Sequence, residues 1–459
     1  MRGRVWTLLF LATVLWTPRI GESGKPYTQV VEQGRVIESP GAVLPLRQRL
    51  TPINEALRQR LEEMLPGLMR ETGIDMWLVI NREYAEDPAY FSLVPAPSYA
   101  ARRTTILVFF DRGVDEGVER FTVSRYPLGD LYAAAWEGGD IDEQWQRLGE
   151  VIAERQPLKI GINTSRHWAV ADGLTLSLKE RLMEVLEPDL QSRVASAQDL
   201  VIRWLETRSV LELERYPHIV ALARGVIAEA FSNRVITPGV TTTGDVAWYI
   251  RQRFADLDLP AWFMPDVNVQ RAGGECEPSS PFCGSDDEII LQGDVLHTDV
   301  GICYLRLCTD TQEMGYVLRR GEEDVPAGLA VALEIGNRWQ DLLTAEFRSG
   351  RTGNEILAAT RETAESEGIS SSTYSHPLGV FGHAPGPTIG MWDNQGPTLI
   401  KGDWQLHPDT AYAIEGNVKV PVPEWDGQWV QIKLEQSAVF DGEKVYYLAG
   451  RQTRWHLIH

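Results

Sequence analysis

Two stretches near the C-terminus read as β-strands, and each carries a glutamate inside apolar text. These are Glu415 in AYAIEGNVKV and Glu435 in WVQIKLEQSAVF. A third apolar stretch, GDVLHTDVG, ends in Asp299. Side chains alternate between the two faces of a strand. Gln431, Lys433 and Glu435 therefore share one face of their segment, and Ile432 and Leu434 share the other. One acid on a half-exposed strand is ordinary. Several acids on strands of one region need partners, because buried carboxylates repel one another and lose solvation.

Two further pieces complete the set. Asp310 follows Asp299 by eleven residues, and the text between them (Tyr304 to Leu307) can turn the chain. Two antiparallel strands would then bring both carboxylates together. The segment SHPLGVFGHAPGP holds His376 and His383, seven residues apart, among Gly379, Gly382 and Gly386, which let backbone approach closely. Read in order, Asp299, Asp310, His376, Glu415 and Glu435 make an oxygen-rich shell with one imidazole. Four carboxylates can offset the charge of two divalent ions and bridge them. Such hard ligands favour Mn²⁺, with Zn²⁺, Co²⁺ and Fe²⁺ as alternatives, over a thiolate-loving ion.

This order and spacing resembles the pita-bread metallopeptidases of the methionine aminopeptidase, aminopeptidase P, prolidase and creatinase family. The paired Asp, the two His seven apart, and the Glu of two strands all match, over roughly residues 207–459. The resemblance implies an α+β chain. A C-terminal pita-bread domain (207–459) would follow a smaller creatinase-type N-terminal α/β domain (46–206). It implies that Asp299 chelates one metal, that Asp310 and Glu435 bridge two, and that His376 and Glu415 hold the second. A bridging water would be activated toward hydroxide, Glu415 would take its proton, and His383 would steady the substrate carbonyl. The implied reaction is hydrolysis of the N-terminal peptide bond of short peptides, with Xaa-Pro bonds preferred in this branch, and homodimers are common in it.

The chain departs from that pattern in four places. The family's upstream His has no counterpart in DVNVQRAGGECEPSSPFCGS (266–285). Gly416-Asn417 stands where Pro-Gly is usual, Lys433 stands where Arg is usual, and DTQEMGY lacks an Arg. His297, two residues before Asp299, points to the same strand face and is a candidate to reach the metal site in place of the absent His. A buried His bonded to backbone is the plainer alternative. Two other readings stay open on the same fold: a creatinase-like C–N hydrolase working without metals, and a non-catalytic peptide-binding protein.

The rest of the chain is consistent with a globular protein. Arg2 and Arg4 are basic, and 5–17 form an apolar run too short to span a bilayer. Residues 1–22 thus read as an export signal, with an uncleaved anchor as the alternative, and 23–45 as a loose leader. No later stretch suggests a membrane helix. Net charge is −20 without a long basic run, which argues against nucleic acid as a partner. Thr51-Pro52 is expected to open a helix. Strands are expected at 76–80, 104–110 and 158–162, and helices at 142–155, 209–233, 242–256, 327–347 and 353–367. Cys276, Cys283, Cys303 and Cys308 allow three pairings, neighbour with neighbour first, or remain free thiols. Trp262, Trp392 and Trp404 are candidates to wall a pocket, with structural packing the commoner role.

Overall fold

The computed structural model describes residues 42–459 except 278 and 281. The expected signal segment and most of the leader lie outside these residues. The N-terminal domain is built on a six-stranded sheet. Its strands are β1 (Met76–Arg82), β2 (Thr104–Asp111), β3 (Val118–Val123), β4 (Ala133–Ala134), β5 (Ile160–Ile162) and β6 (Val194–Ser196), in the order β4-β3-β2-β1-β5-β6. β1 is central, antiparallel to β2 and parallel to β5. It is buried on both faces from Met76 to Asn81, which is why MWLVI reads as a continuous apolar run.

The first helix begins at Leu46, not at Thr51-Pro52, and Pro52 lies inside it. Tertiary contacts hold the extra turn. The Arg49 guanidinium donates to the carbonyls of Leu44 and Asp258 and lies 5.0 Å from the centre of the Tyr304 ring. The other expected helices appear within two or three residues of their expected ends, at Ile141–Arg155, Val210–Ala230, Thr243–Asp256, Ala327–Ala345 and Gly353–Ser366. Most begin at capping boxes: Asp140/Glu143, Ser209/Glu212, Thr242/Asp245 and Thr352/Glu355. The Ser209 box also joins the domains. Glu212 accepts from the backbone N–H of Ser209 and, at 2.8 Å, from the buried guanidinium of Arg60, which donates as well to the carbonyls of Thr207 and Trp204.

The C-terminal domain is a nine-stranded sheet. It comprises β7 (Asp266–Gln270), β8 (Val295–Val300), β11 (Thr311–Val317), β12 (Ser370–Thr373), β13 (His376–Leu378), β14 (Thr410–Val422), β15 (Gln428–Phe440), β16 (Val445–Tyr447) and β17 (His456–Ile458). A two-residue hairpin, β9 (Cys303–Tyr304) and β10 (Leu307–Cys308), links β8 to β11. The main order is β12-β14-β15-β11-β8-β7. Ile414, Ile432 and Leu434 face a core shared with the helices Ala327–Ala345 and Gly353–Ser366. The alternate residues of β14 and β15, Glu415 and Glu435 among them, face the other way. Among the described residues no helix is long and apolar enough to cross a membrane.

Candidate metal centre

The register places the acids side by side. Asp266 pairs with Asp299, Asp299 with Gln312, Gln312 with Glu435, and Glu435 with Glu415. One line thus crosses five strands, β7-β8-β11-β15-β14, and opposed residues project from the same face. Asp310 precedes Gln312 by two residues and shares its side of the chain. β13 pairs with β14 so that His376 lies opposite Ala413, two residues from Glu415. Pairings across up to 123 residues of sequence therefore assemble a site that local text shows only in pieces.

Three overlapping groups have ligand atoms within 4.8 Å of one another: Asp299, Asp310 and Glu435; His376, Glu415 and Glu435; and Asp310, His376 and His383. The Nε2 of His376 lies 3.7 Å from Asp310 Oδ2, 3.7 Å from Glu415 Oε2 and 3.9 Å from Glu435 Oε1. These separations suit ligands around a shared ion with bonds of about 2.0–2.2 Å. Nδ1 of His376 is 3.1 Å from the Pro377 carbonyl, so it carries the proton and leaves Nε2 with a free lone pair. That Nε2, Asp299 Oδ1, Asp310 Oδ1 and Glu435 Oε1 are buried and without a hydrogen-bond partner. Orphaned buried acceptors converging on one place are what a cation would satisfy. The residues fit a pair of divalent ions.

The electrostatics agree. Burial and the neighbouring Asp266 push the Asp299 carboxyl up to about 7. Burial and the facing carboxylates push Asp310, Glu415 and Glu435 well above the ordinary range. Burial, with the neighbouring His383, lowers the His376 imidazole to about 3, which keeps it a neutral ligand. Left to itself the cluster holds protons; positive charge is the natural replacement.

Residues 215–440 match metallopeptidase family M24. They form an M24 domain. Its pita-bread fold is shared by X-Pro aminopeptidase of Thermotoga maritima, 17% identical over 85% of this chain and 99% of that one, with a TM-score of 0.59. It is shared as well by Xaa-Pro dipeptidase of Bacillus anthracis (17% identity, 90% and 100% coverage, TM-score 0.54) and by a His350Ala form of Escherichia coli aminopeptidase P (13% identity, 89% and 96% coverage, TM-score 0.54). At these identities the likeness is one of fold. No curated protein matches the chain in sequence.

The M24 domain opens the cluster into a cleft of about 580 Å³. His383 stands at its open side, its ring 4.6 Å from that of His376 and 5.0 Å from that of Trp262, and partial desolvation lowers its imidazole. Trp262 is fixed by a 2.9 Å hydrogen bond from Nε1 to the Thr309 carbonyl. It lies against Gly301 and Gly382, where any Cβ would overlap its ring. Trp392 packs against Phe282 with the rings tilted by 32° and their centres 5.4 Å apart, and both line the cleft. Trp404 does not: it donates to Glu206 and packs on Trp168 at the domain junction. Cys276–Cys283 and Cys303–Cys308 are disulfide-bonded. The first closes the loop that carries Phe282; the second closes the hairpin between β8 and β11.

His297 shares the face of Asp299 and is buried, but it is in none of the three ligand groups. Its partners are side chains, not backbone: Asn268 and Gln312. Sequence reading passed over Gln312. The signal was available, since Gln312 stands two residues after Asp310, the same spacing that singled out His297.

Proposed function

We propose that the protein is a divalent-metal-dependent peptidase that hydrolyses the N-terminal peptide bond of short peptides, Xaa-Pro substrates first among them. The observation that carries this reading is the convergence of unpartnered ligand atoms from Asp299, Asp310, His376 and Glu435 on one cleft. Asp299, Asp310 and Glu435 would hold one ion; His376, Glu415 and Glu435 would hold the other. Bound divalent ions supply Lewis acidity toward the scissile carbonyl and lower the pKa of water. Mn²⁺ is our first choice for so carboxylate-rich a shell.

The chain's own side chains account for the remaining requirements. Glu415 Oε1 accepts from Gln312 and Oε2 faces His376, so Oε2 is the oxygen that would hold the ion, and the same carboxylate is the base that would take the proton of the attacking water. His383, at the open side, donates an imidazole N–H to the carbonyl oxygen as it gains charge. Trp262 and the Phe282–Trp392 pair wall the cleft with apolar surface and keep bulk water from the reacting bond. The two disulfides support export, because such bonds persist in oxidising compartments. N-terminal sequencing of the mature protein tests that part.

The test of function is elemental analysis of the purified protein, followed by an Xaa-Pro peptide panel with added Mn²⁺. About two ions per chain and release of the first residue are expected. Bound metal without cleavage of any member rejects the Xaa-Pro assignment. No metal, even after incubation with Mn²⁺, Zn²⁺ or Co²⁺, returns the choice to a metal-free C–N hydrolase or a peptide-binding protein.

A further inference from the structure

His297 sits in the middle of a chain of directional hydrogen bonds that runs from one carboxylate to two others. Asn268 Nδ2 lies 3.1 Å from Asp266 Oδ2 and 3.2 Å from His297 Nδ1. His297 Nε2 lies 2.9 Å from Gln312 Oε1. Gln312 Nε2 then lies 2.9 Å from Glu415 Oε1 and 2.9 Å from Glu435 Oε2. Asn268, His297 and Gln312 are all buried.

Each link has only one sense. A carboxylate can only accept, so Asp266 orients the Asn268 amide with its NH₂ outward. That NH₂ donates to Nδ1 of His297, which must then be the bare nitrogen, and Nε2 carries the proton. Nε2–H donates to Gln312 Oε1, so the Gln312 NH₂ faces the cluster and gives one N–H to each glutamate. Turning the Gln312 amide over would set its oxygen against two carboxylates and its NH₂ against the Nε2–H of His297. Relieving that by moving the imidazole proton would set Nδ1–H against the NH₂ of Asn268. With the glutamates ionised, as a bound cation would keep them, every alternative leaves buried like groups facing each other.

The consequence falls on the ligands. Gln312 engages Oε1 of Glu415 and Oε2 of Glu435. It leaves Glu415 Oε2 and Glu435 Oε1, the two oxygens that lie 3.7 and 3.9 Å from His376 Nε2. We propose that His297 is a positioning residue. Through Gln312 it fixes which oxygen of Glu415 and which of Glu435 is presented to the metal pair. It touches neither the ions nor the substrate. This rests on the metal-dependent reading above, and it gives the imidazole a place among the ligands' supports, not among the ligands.

The experiment is calorimetric titration of metal-free full-length protein with Mn²⁺ alone, with circular dichroism and thermal unfolding to check the fold. His297→Leu removes the donor to Gln312 and is expected to weaken Mn²⁺ binding by about 10- to 100-fold, the range for lost outer-shell support. His297→Gln places an amide N–H near the former Nε2–H and is expected to restore affinity to within about threefold, a rescue that a packing role does not predict. Equal affinity in wild type and folded His297→Leu, or failure of His297→Gln to exceed His297→Leu, overturns the proposal. If His297→Leu does not fold, the wild type still decides. With ¹⁵N-labelled histidine, His297 is expected to show the neutral Nε2–H tautomer with and without Zn²⁺. An Nδ1–H tautomer, or a shift of the His297 ring nitrogens to metal-coordinated values with Zn²⁺, overturns it. A wild type that binds no ion refutes the metal-dependent function instead, and the tautomer then tests the hydrogen-bond chain by itself.

Discussion

Removal of divalent ions should make the protein's stability fall as pH rises from about 7 to 8.5. The sign follows from the carboxylates. In the unfolded chain they lose their protons near pH 4. In the folded, metal-free protein Asp299 holds its proton to about 7, and Asp310, Glu415 and Glu435 hold theirs well above the ordinary range. Groups with a raised folded pKa stabilise at low pH and lose that stability as pH rises. Each proton retained by the folded state alone costs about 1.4 kcal/mol for every pH unit. If the cluster keeps one proton between pH 7 and 8, the loss is about 1.4 kcal/mol; if two, about 3 kcal/mol. Buried histidines act in the opposite sense. His376, His407 and His297 are depressed by burial, to about 3, to about 4 and well below 6.5, so they favour folding as pH climbs toward the unfolded value of about 6.5. That gain is complete near pH 7, which sets the lower edge of the window. The buried Lys433 amine is also depressed and opposes the carboxylates at the alkaline edge.

With saturating Mn²⁺ the carboxylates are ionised in both states and the decline should vanish. The assay is thermal unfolding at pH 7.0, 7.5, 8.0 and 8.5, with a chelator and with Mn²⁺. The sharpest comparison is Glu435→Gln without metal. It removes one charge from the cluster and should be more stable than the metal-free wild type at pH 8, by about 1–2 kcal/mol, while failing to bind Mn²⁺. A metal-free midpoint that is flat or rises across the window would refute the reasoning, as would an Mn²⁺ increment that is the same at pH 7 and 8.5.

Four further outcomes are expected. His383→Ala should leave Mn²⁺ affinity within about threefold but lower kcat on a cleaved peptide by about 10²- to 10⁴-fold; an unchanged kcat would remove His383 from the chemistry. Gly416→Ala adds a methyl group that overlaps the Trp339 ring and the Ser372 carbonyl beside Glu415. It should cost about 1–3 kcal/mol and weaken metal binding, as read by denaturant unfolding and calorimetry. Arg60→Ala removes the nearer of two guanidinium partners of the buried Glu212 at the domain joint, leaving Arg208 at 3.6 Å and the Ser209 N–H. It should cost about 1–3 kcal/mol, and an unchanged melting temperature would show that Arg60 does not hold the joint. Cys276→Ser with Cys283→Ser frees the loop that brings Phe282 to the cleft; KM for peptides should rise more than kcat falls, and equal effects on both would argue against a wall role.

The candidate cluster was legible in the sequence because its members are the wrong chemistry for their surroundings. Glu415 and Glu435 interrupt apolar strands, and His376 and His383 share a glycine-rich segment. The alternation that put Gln431, Lys433 and Glu435 on one face of β15 needs only the two-residue period. The row Asp266–Asp299–Gln312–Glu435–Glu415 was not legible. It depends on register between strands far apart in sequence, and register is set by the whole sheet. Helix starts were legible where a capping box marks them. The start at Leu46 was not, because Arg49 holds that turn against Tyr304 and Asp258.

The same register explains the departures from the family pattern. The segment 266–285 has no imidazole, and β7 instead offers Asp266 and Asn268 to the neighbouring strand. The imidazole stands one strand over, at His297, with both ring nitrogens engaged by Asn268 and Gln312. It is close to the ligands yet has no nitrogen left for a substrate. On the proposed reading, the proton of the attacking water falls to Glu415 and the developing charge on the carbonyl oxygen to His383 at the entrance. On that reading Glu415 serves both the ion and the proton, whereas His297 supports the ligands alone and His383 meets the substrate alone. A change at His297 should show first in ion affinity, and a change at His383 first in turnover.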